Sequence, residues 1–84
     1  MNKKLFVGSL DFDVKDIGLE ELFKTVGKVV YAEIVRFFDK KSKGFGFVEM
    51  ETVEEAKLAI EKLNGSEFRG RKIVVSEFKD KISI

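Results

Sequence analysis

The sequence predicts an α+β domain: a four-stranded antiparallel sheet with two helices on one of its faces. Two segments carry apolar residues at i, i+3, i+4 and i+7, the stripe of a half-buried helix. Short β-prone runs flank and separate them. All of this must fit in 84 residues, below the roughly 100–150 of a common domain, so the expectation is one domain over residues 1–84.

Lys4–Gly8 holds Leu5, Phe6 and Val7 and reads as the first strand, closed by Gly8-Ser9. Leu19, Leu22, Phe23 and Val26 form the first stripe, with Asp13 or Asp16 as its expected cap and Gly27 as its C-terminal glycine. Gly18 weakens the first turn of that helix. Val29–Val35 is rich in β-branched residues and makes the second strand; residues 37–42 make a charged loop, and Lys43–Met50 the third strand. Thr52 and Glu55 have the spacing of a capping box, in which each side chain accepts from the other's backbone N–H. Ala56, Ala59, Ile60 and Leu63 follow as the second stripe, stopped by Asn64-Gly65. Lys72–Ser76 is the last strand.

The order βαββαβ, with right-handed crossovers, gives a sheet of strand order 4-1-3-2. Both helices bury their stripes on one face and leave the other to water. Strand alternation then divides the side chains. Leu5, Val7, Gly46, Val48 and Met50 point to the helices, so Lys4, Phe6, Lys43, Phe45, Phe47 and Glu49 point outward. Strands one and three are central neighbours, which brings Phe6, Phe45 and Phe47 together on the open face. A one-residue slip of register would expose Leu5, Val7, Val48 and Met50 instead, which is no better.

Exposed rings beside lysines are the chemistry of single-strand binding. A ring stacks on the π-face of any base, each stack worth roughly 1–3 kcal/mol. Lys4, Lys40, Lys41 and Lys43 supply charge for phosphates, and Gly44 and Gly46 are expected to leave room for the nucleic acid. The net charge is only +1, but it is unevenly spread. Acidic residues dominate positions 11–21, and lysines with Arg36 dominate positions 36–43.

Lys43-Gly44-Phe45-Gly46-Phe47-Val48-Glu49-Met50 resembles the octamer of the RNA recognition motif, a basic residue, Gly, an aromatic, Gly or Ala, Phe, Val, any residue, then Phe or Tyr. Leu5-Phe6-Val7-Gly8-Ser9-Leu10 is similar to the companion hexamer of that family, and the likeness extends over the whole chain. It implies a ferredoxin-like βαββαβ sandwich that binds single-stranded RNA, with single-stranded DNA as a second ligand. Two positions depart from the pattern. Met50 stands where the octamer usually ends in an aromatic, and Ser9 where the hexamer commonly has Asn.

The resemblance also implies that outward residues of the outer strands, Tyr31, Glu33 and Val35 on strand two and Lys72, Val74 and Ser76 on strand four, tune base preference. Phe37 and Phe38 stand where the family usually turns polar; they extend the platform, plug the sheet edge or meet a protein partner. Phe78 is open to the same readings. The biological roles implied are post-transcriptional regulation or RNA chaperoning. A protein-interaction module of the same fold is the alternative, although divergent members of that kind typically lose the exposed aromatics.

Catalysis is not expected. The chain has no His and no Cys, so imidazole, thiol and zinc chemistry are excluded; no cofactor or metal is expected. Asp11 and Asp13 read as turn and cap residues rather than as a metal pair. No apolar run approaches the roughly 20 residues of a membrane span. A cytoplasmic monomer is the expectation. Starting at Met1 and lacking tails, the chain resembles the short stand-alone bacterial members of the family, with a domain excised from a larger protein as the alternative.

Overall fold

The computed structural model describes residues 2–79. Strand β1 (Lys4–Gly8) leads to helix α1 (Asp16–Lys24), then to strands β2 (Val29–Arg36) and β3 (Ser42–Met50). Helix α2 (Val53–Leu63) follows, then two short strands, β4 (Glu67–Phe68) and β5 (Arg71–Lys72), and finally β6 (Val74–Glu77). The main sheet is antiparallel in the order β2-β3-β1-β6, which is the expected 4-1-3-2 with β6 as the last strand. Leu5, Val7, Val48, Met50 and Val75 are buried against Leu19, Phe23, Ala56, Ala59 and Leu63 of the helices. Leu22, Val26 and Ile60 pack partly buried around that core, and Leu10 and Val14 of the β1–α1 turn join it, which the stripes did not reveal.

The last strand is shorter than expected because Ile73 turns away from the ladder. Its N–H donates to the Ser66 carbonyl and its own carbonyl accepts from Gly65, so a β4–β5 hairpin closes beside the main sheet. Lys72 belongs to that hairpin, opposite Glu67, and not to the outward row of the four-stranded sheet.

The helix ends are fastened differently from the expected caps. Lys15 is the N-cap of α1 and offers no side-chain bond. Asp13 gives its N–H to Asp11 Oδ1 in the preceding turn, and Asp16 Oδ1 reaches across to accept from Ile34 N of β2 at 2.8 Å. At α2 half of the box forms: Glu55 N donates to Thr52 Oγ1 at 3.1 Å. The Glu55 carboxylate accepts from the Thr52 hydroxyl and from Lys28 N, tying α2 to the approach of β2. Gly27 is needed for that contact, since a Cβ there would lie 2.9 Å from Glu55 Cγ; its φ is not positive, so it is no left-handed cap. Asn64 ends α2, and its Oδ1 accepts from Val75 N at 2.9 Å.

Candidate nucleic-acid interface

Both helices pack on one side of the sheet, and the opposite side carries the aromatic cluster. Phe6 and Phe47 face each other across the β1–β3 pairing, and Phe45 lies one outward position along β3. Ring centroids are 5.6 Å apart for Phe6–Phe45, 6.2 Å for Phe6–Phe47 and 6.1 Å for Phe45–Phe47, in tilted or edge-on arrangements. All three rings are half-buried by one another. The sequence brings them together as expected. Phe78 extends the cluster, with its ring 5.1 Å from Phe47 and edge-on. Its N–H donates to the Lys4 carbonyl and its carbonyl accepts from Asn2 Nδ2, which holds the segment after β6 against β1.

The glycines do different work from that expected. A Cβ on Gly46 would meet the Glu33 carbonyl oxygen at 2.3 Å, so its bareness is what lets β2 and β3 approach. Gly44 has φ +85°, a conformation side chains rarely adopt, and a Cβ there would sit 3.0 Å from Phe12 Cε1. Gly8 leaves room for the Phe6 ring, which leans forward along β1 over it. Ser9 takes φ 59°, a left-handed conformation in which Asn is enriched and which suits the residue the hexamer commonly has there.

The cations fall into three groups. Lys4 is half-buried among rings, its Nζ 4.6 Å from the Phe78 centroid, 5.1 Å from Phe47 and 5.8 Å from Tyr31. It thus contacts aromatic faces at the end of the cluster where β1 begins, with Tyr31 exposed beside it. Lys40, Lys41 and Lys43 are exposed at the far end, where Lys43 Nζ lies 5.1 Å from the Phe37 ring. Lys72 stands apart on β5.

A groove of about 570 Å³ opens at that far end, between the β1–α1 turn and the β2–β3 loop. Phe12, Phe37, the loop residues Lys40 and Lys41, and Lys43 at the start of β3 line it. Phe12 is the residue that sequence reasoning missed. Its signal was available in Leu10, Phe12 and Val14, a run of alternate apolar residues in a turn, but only the packed structure decides which of the three stays outside.

The chain matches the family model for the RNA recognition motif over residues 5–74. A 29 kDa chloroplastic ribonucleoprotein of Arabidopsis thaliana is 47% identical over 75 residues, which are 88% of this chain and 22% of that protein. Small RNA-binding protein 11, chloroplastic, of the same plant is 45% identical over 96% of this chain and 56% of its own length. The chain thus spans between about a fifth and just over half of these two relatives. Among solved structures, RNA binding protein PG1 superposes with a TM-score of 0.89 at 36% identity, covering 96% of this chain and 99% of that one. A Sex-lethal protein–RNA complex superposes with a TM-score of 0.92 at 29% identity, covering 96% and 49%. With the octamer and hexamer side by side on the central strands and the family model running from β1 into β6, this chain is a member of the RNA recognition motif family.

Proposed function

We propose that residues 1–84 form one RNA recognition motif domain that binds single-stranded RNA without catalysis, stacking bases on Phe6, Phe45 and Phe47. The observation that carries this is the trio of rings, mutually 5.6–6.2 Å apart on a sheet face that neither helix covers. Folding alone favours polar side chains on such a face. Lys40, Lys41 and Lys43 meet phosphates, Lys4 holds the rings of Phe47 and Phe78 in place, and Tyr31 and Glu33 read base edges beside β3. Lys72, on its separate hairpin, adds charge at the margin.

The names of the relatives, ribonucleoproteins and RNA-binding proteins, support this ligand over single-stranded DNA, which the same rings would also stack. Post-transcriptional regulation or RNA chaperoning by a cytoplasmic monomer is the biological role we assign. The chloroplast location of the curated relatives is the competing compartment. Phe38, fully exposed at the tip of the β2–β3 loop, favours a second contact, with a protein partner. Selection from a random RNA pool, with a matched DNA pool as competitor, tests the ligand. Enrichment of RNA that is lost in Phe45→Ala supports the reading, and failure to retain either pool overturns it. In the same mixture with Mg²⁺ the RNA stays intact; cleavage that Asp11→Asn abolishes would make the protein an enzyme.

A further inference from the structure

Lys4 and Phe78 stand opposite each other at the end of the β1–β6 pairing, one step beyond Leu5 and Glu77. Phe78 N–H donates to the Lys4 carbonyl at 2.9 Å, which is half of an ordinary antiparallel rung. The Asn2 side chain takes the place of the other half. Its Oδ1 accepts from Lys4 N–H at 2.7 Å, and its Nδ2 donates to the Phe78 carbonyl at 2.9 Å. One amide thus spans the two strands as a spacer between the groups that a direct bond would have joined. Asn2 N–H adds a third tie, to Glu77 Oε2 at 2.8 Å.

These three bonds are exposed. Water would satisfy the same backbone groups in place of the Asn2 amide, so the clamp adds little to stability. What it fixes is position. Ser76 pairs with Phe6 on the open face, and alternation puts Phe78 on that face too. The Phe78 ring lies 5.1 Å from Phe47, edge-on, with Lys4 Nζ 4.6 Å from its centroid. Phe78 follows the last residue of β6, where a chain ordinarily loosens unless its backbone is tied down. Here the N–H is held by Lys4 and the carbonyl by Asn2. A ring fixed in this way has little freedom left to lose when a base stacks on it. Asn2 and Phe78 both lie outside the stretch 5–74 that the family model matches, so the family likeness does not account for the clamp.

We propose that Asn2 is a positioning residue for RNA binding: its amide sets the Phe78 ring beside Phe47 as a fourth member of the aromatic platform. The proposal rests on the RNA-binding reading above. The role asks for a side chain that accepts and donates at once, which neither a carboxylate nor a methyl group can do.

The test is a double-mutant cycle, read by fluorescence anisotropy with labelled random-sequence RNA. Phe78→Ala is expected to weaken binding roughly 5- to 150-fold, as for one stacked base. Asn2→Ala should weaken it roughly 2- to 12-fold, as for one net hydrogen bond, while thermal unfolding moves little. In the Phe78→Ala background the same substitution should change nothing further. Aromatic proton resonances supply a readout without RNA: Asn2→Ala should shift those of Phe47 toward their positions in Phe78→Ala. Equal losses of affinity in both backgrounds would mean that Asn2 acts through something other than Phe78, and would overturn the proposal. Unchanged affinity, unchanged Phe47 resonances, or a loss of affinity that only tracks unfolding by circular dichroism would overturn it as well. If the unaltered protein retains no RNA, the RNA-binding reading itself falls, a result separate from whether the Phe47 resonances respond to Asn2.

Discussion

Replacing Phe45 by Ala should separate binding from folding. The ring touches two others, Phe6 at 5.6 Å and Phe47 at 6.1 Å, and it is only half-buried. Aromatic pairs contribute about 0.5–1.5 kcal/mol each beyond area, and partial exposure puts these at the lower end, so the loss of stability should be about 1–2 kcal/mol. For a domain of this size that lowers Tm by roughly 4–8 °C per kcal/mol and leaves the protein folded at room temperature. The loss of RNA affinity should be as large or larger, roughly 1–3 kcal/mol, when one base loses its stacking partner. Phe23 is the control. It is 0% exposed in the core under α1, so Phe23→Ala should cost about 3–5 kcal/mol of stability. Binding per folded molecule should hardly change. Urea titrations measure the first quantity and fluorescence anisotropy with labelled RNA the second. Should Phe45→Ala bind RNA within twofold of the unaltered protein, the stacking argument is wrong. Should it unfold the domain while Phe23→Ala leaves it folded, the sheet has been read inside out.

Three further outcomes follow from particular contacts. Removing the charges of Lys40 and Lys41 should reduce the slope of log affinity against log salt by roughly 0.7 per residue, similarly for all RNA sequences; a changed base preference would mean that the loop reads bases. Gly46→Ala puts a Cβ 2.3 Å from the Glu33 carbonyl oxygen and should cost at least about 1–3 kcal/mol in urea unfolding, with any loss of affinity following the loss of fold. Asp16→Ala leaves Ile34 N without its acceptor and should destabilise by about 1–2 kcal/mol, read as faster amide exchange at Ile34. Unchanged exchange there would mean that the bond does not form in solution.

The aromatic platform was legible because alternation along β1 and β3 is local and needs no knowledge of the rest of the chain. The same holds for both helices, whose stripes are fixed by a period of 3.6 residues. What escaped the sequence depends on partners far along it. Asp16 looks like a cap because caps are acidic, yet its acceptor role is set by Ile34, eighteen residues on. Gly46 looks like clearance for a ligand until β2 comes to lie against it. Lys72 looks like part of the main ladder because its neighbours Ile73 and Val75 alternate correctly; the diversion of Ile73 toward Ser66 appears only once α2 has ended and the chain has turned back. Phe12 alternates with Leu10 and Val14, but a turn has no fixed inner face, so alternation there does not say which of the three stays outside.

The bonds from Asp16 to Ile34 and from Asn64 to Val75 also bear on how this sheet meets other chains. β2 and β6 are its outermost strands, and outer strands present unused backbone donors to any extended peptide that drifts past. On each of them one donor is already taken, by a carboxylate on one side and by an amide on the other. A fifth strand adding at either margin would have to displace a side chain anchored in a helix or at its end before its own ladder could register. Self-association by strand addition is thereby disfavoured at both margins, while the broad aromatic face is left free to meet a ligand side-on.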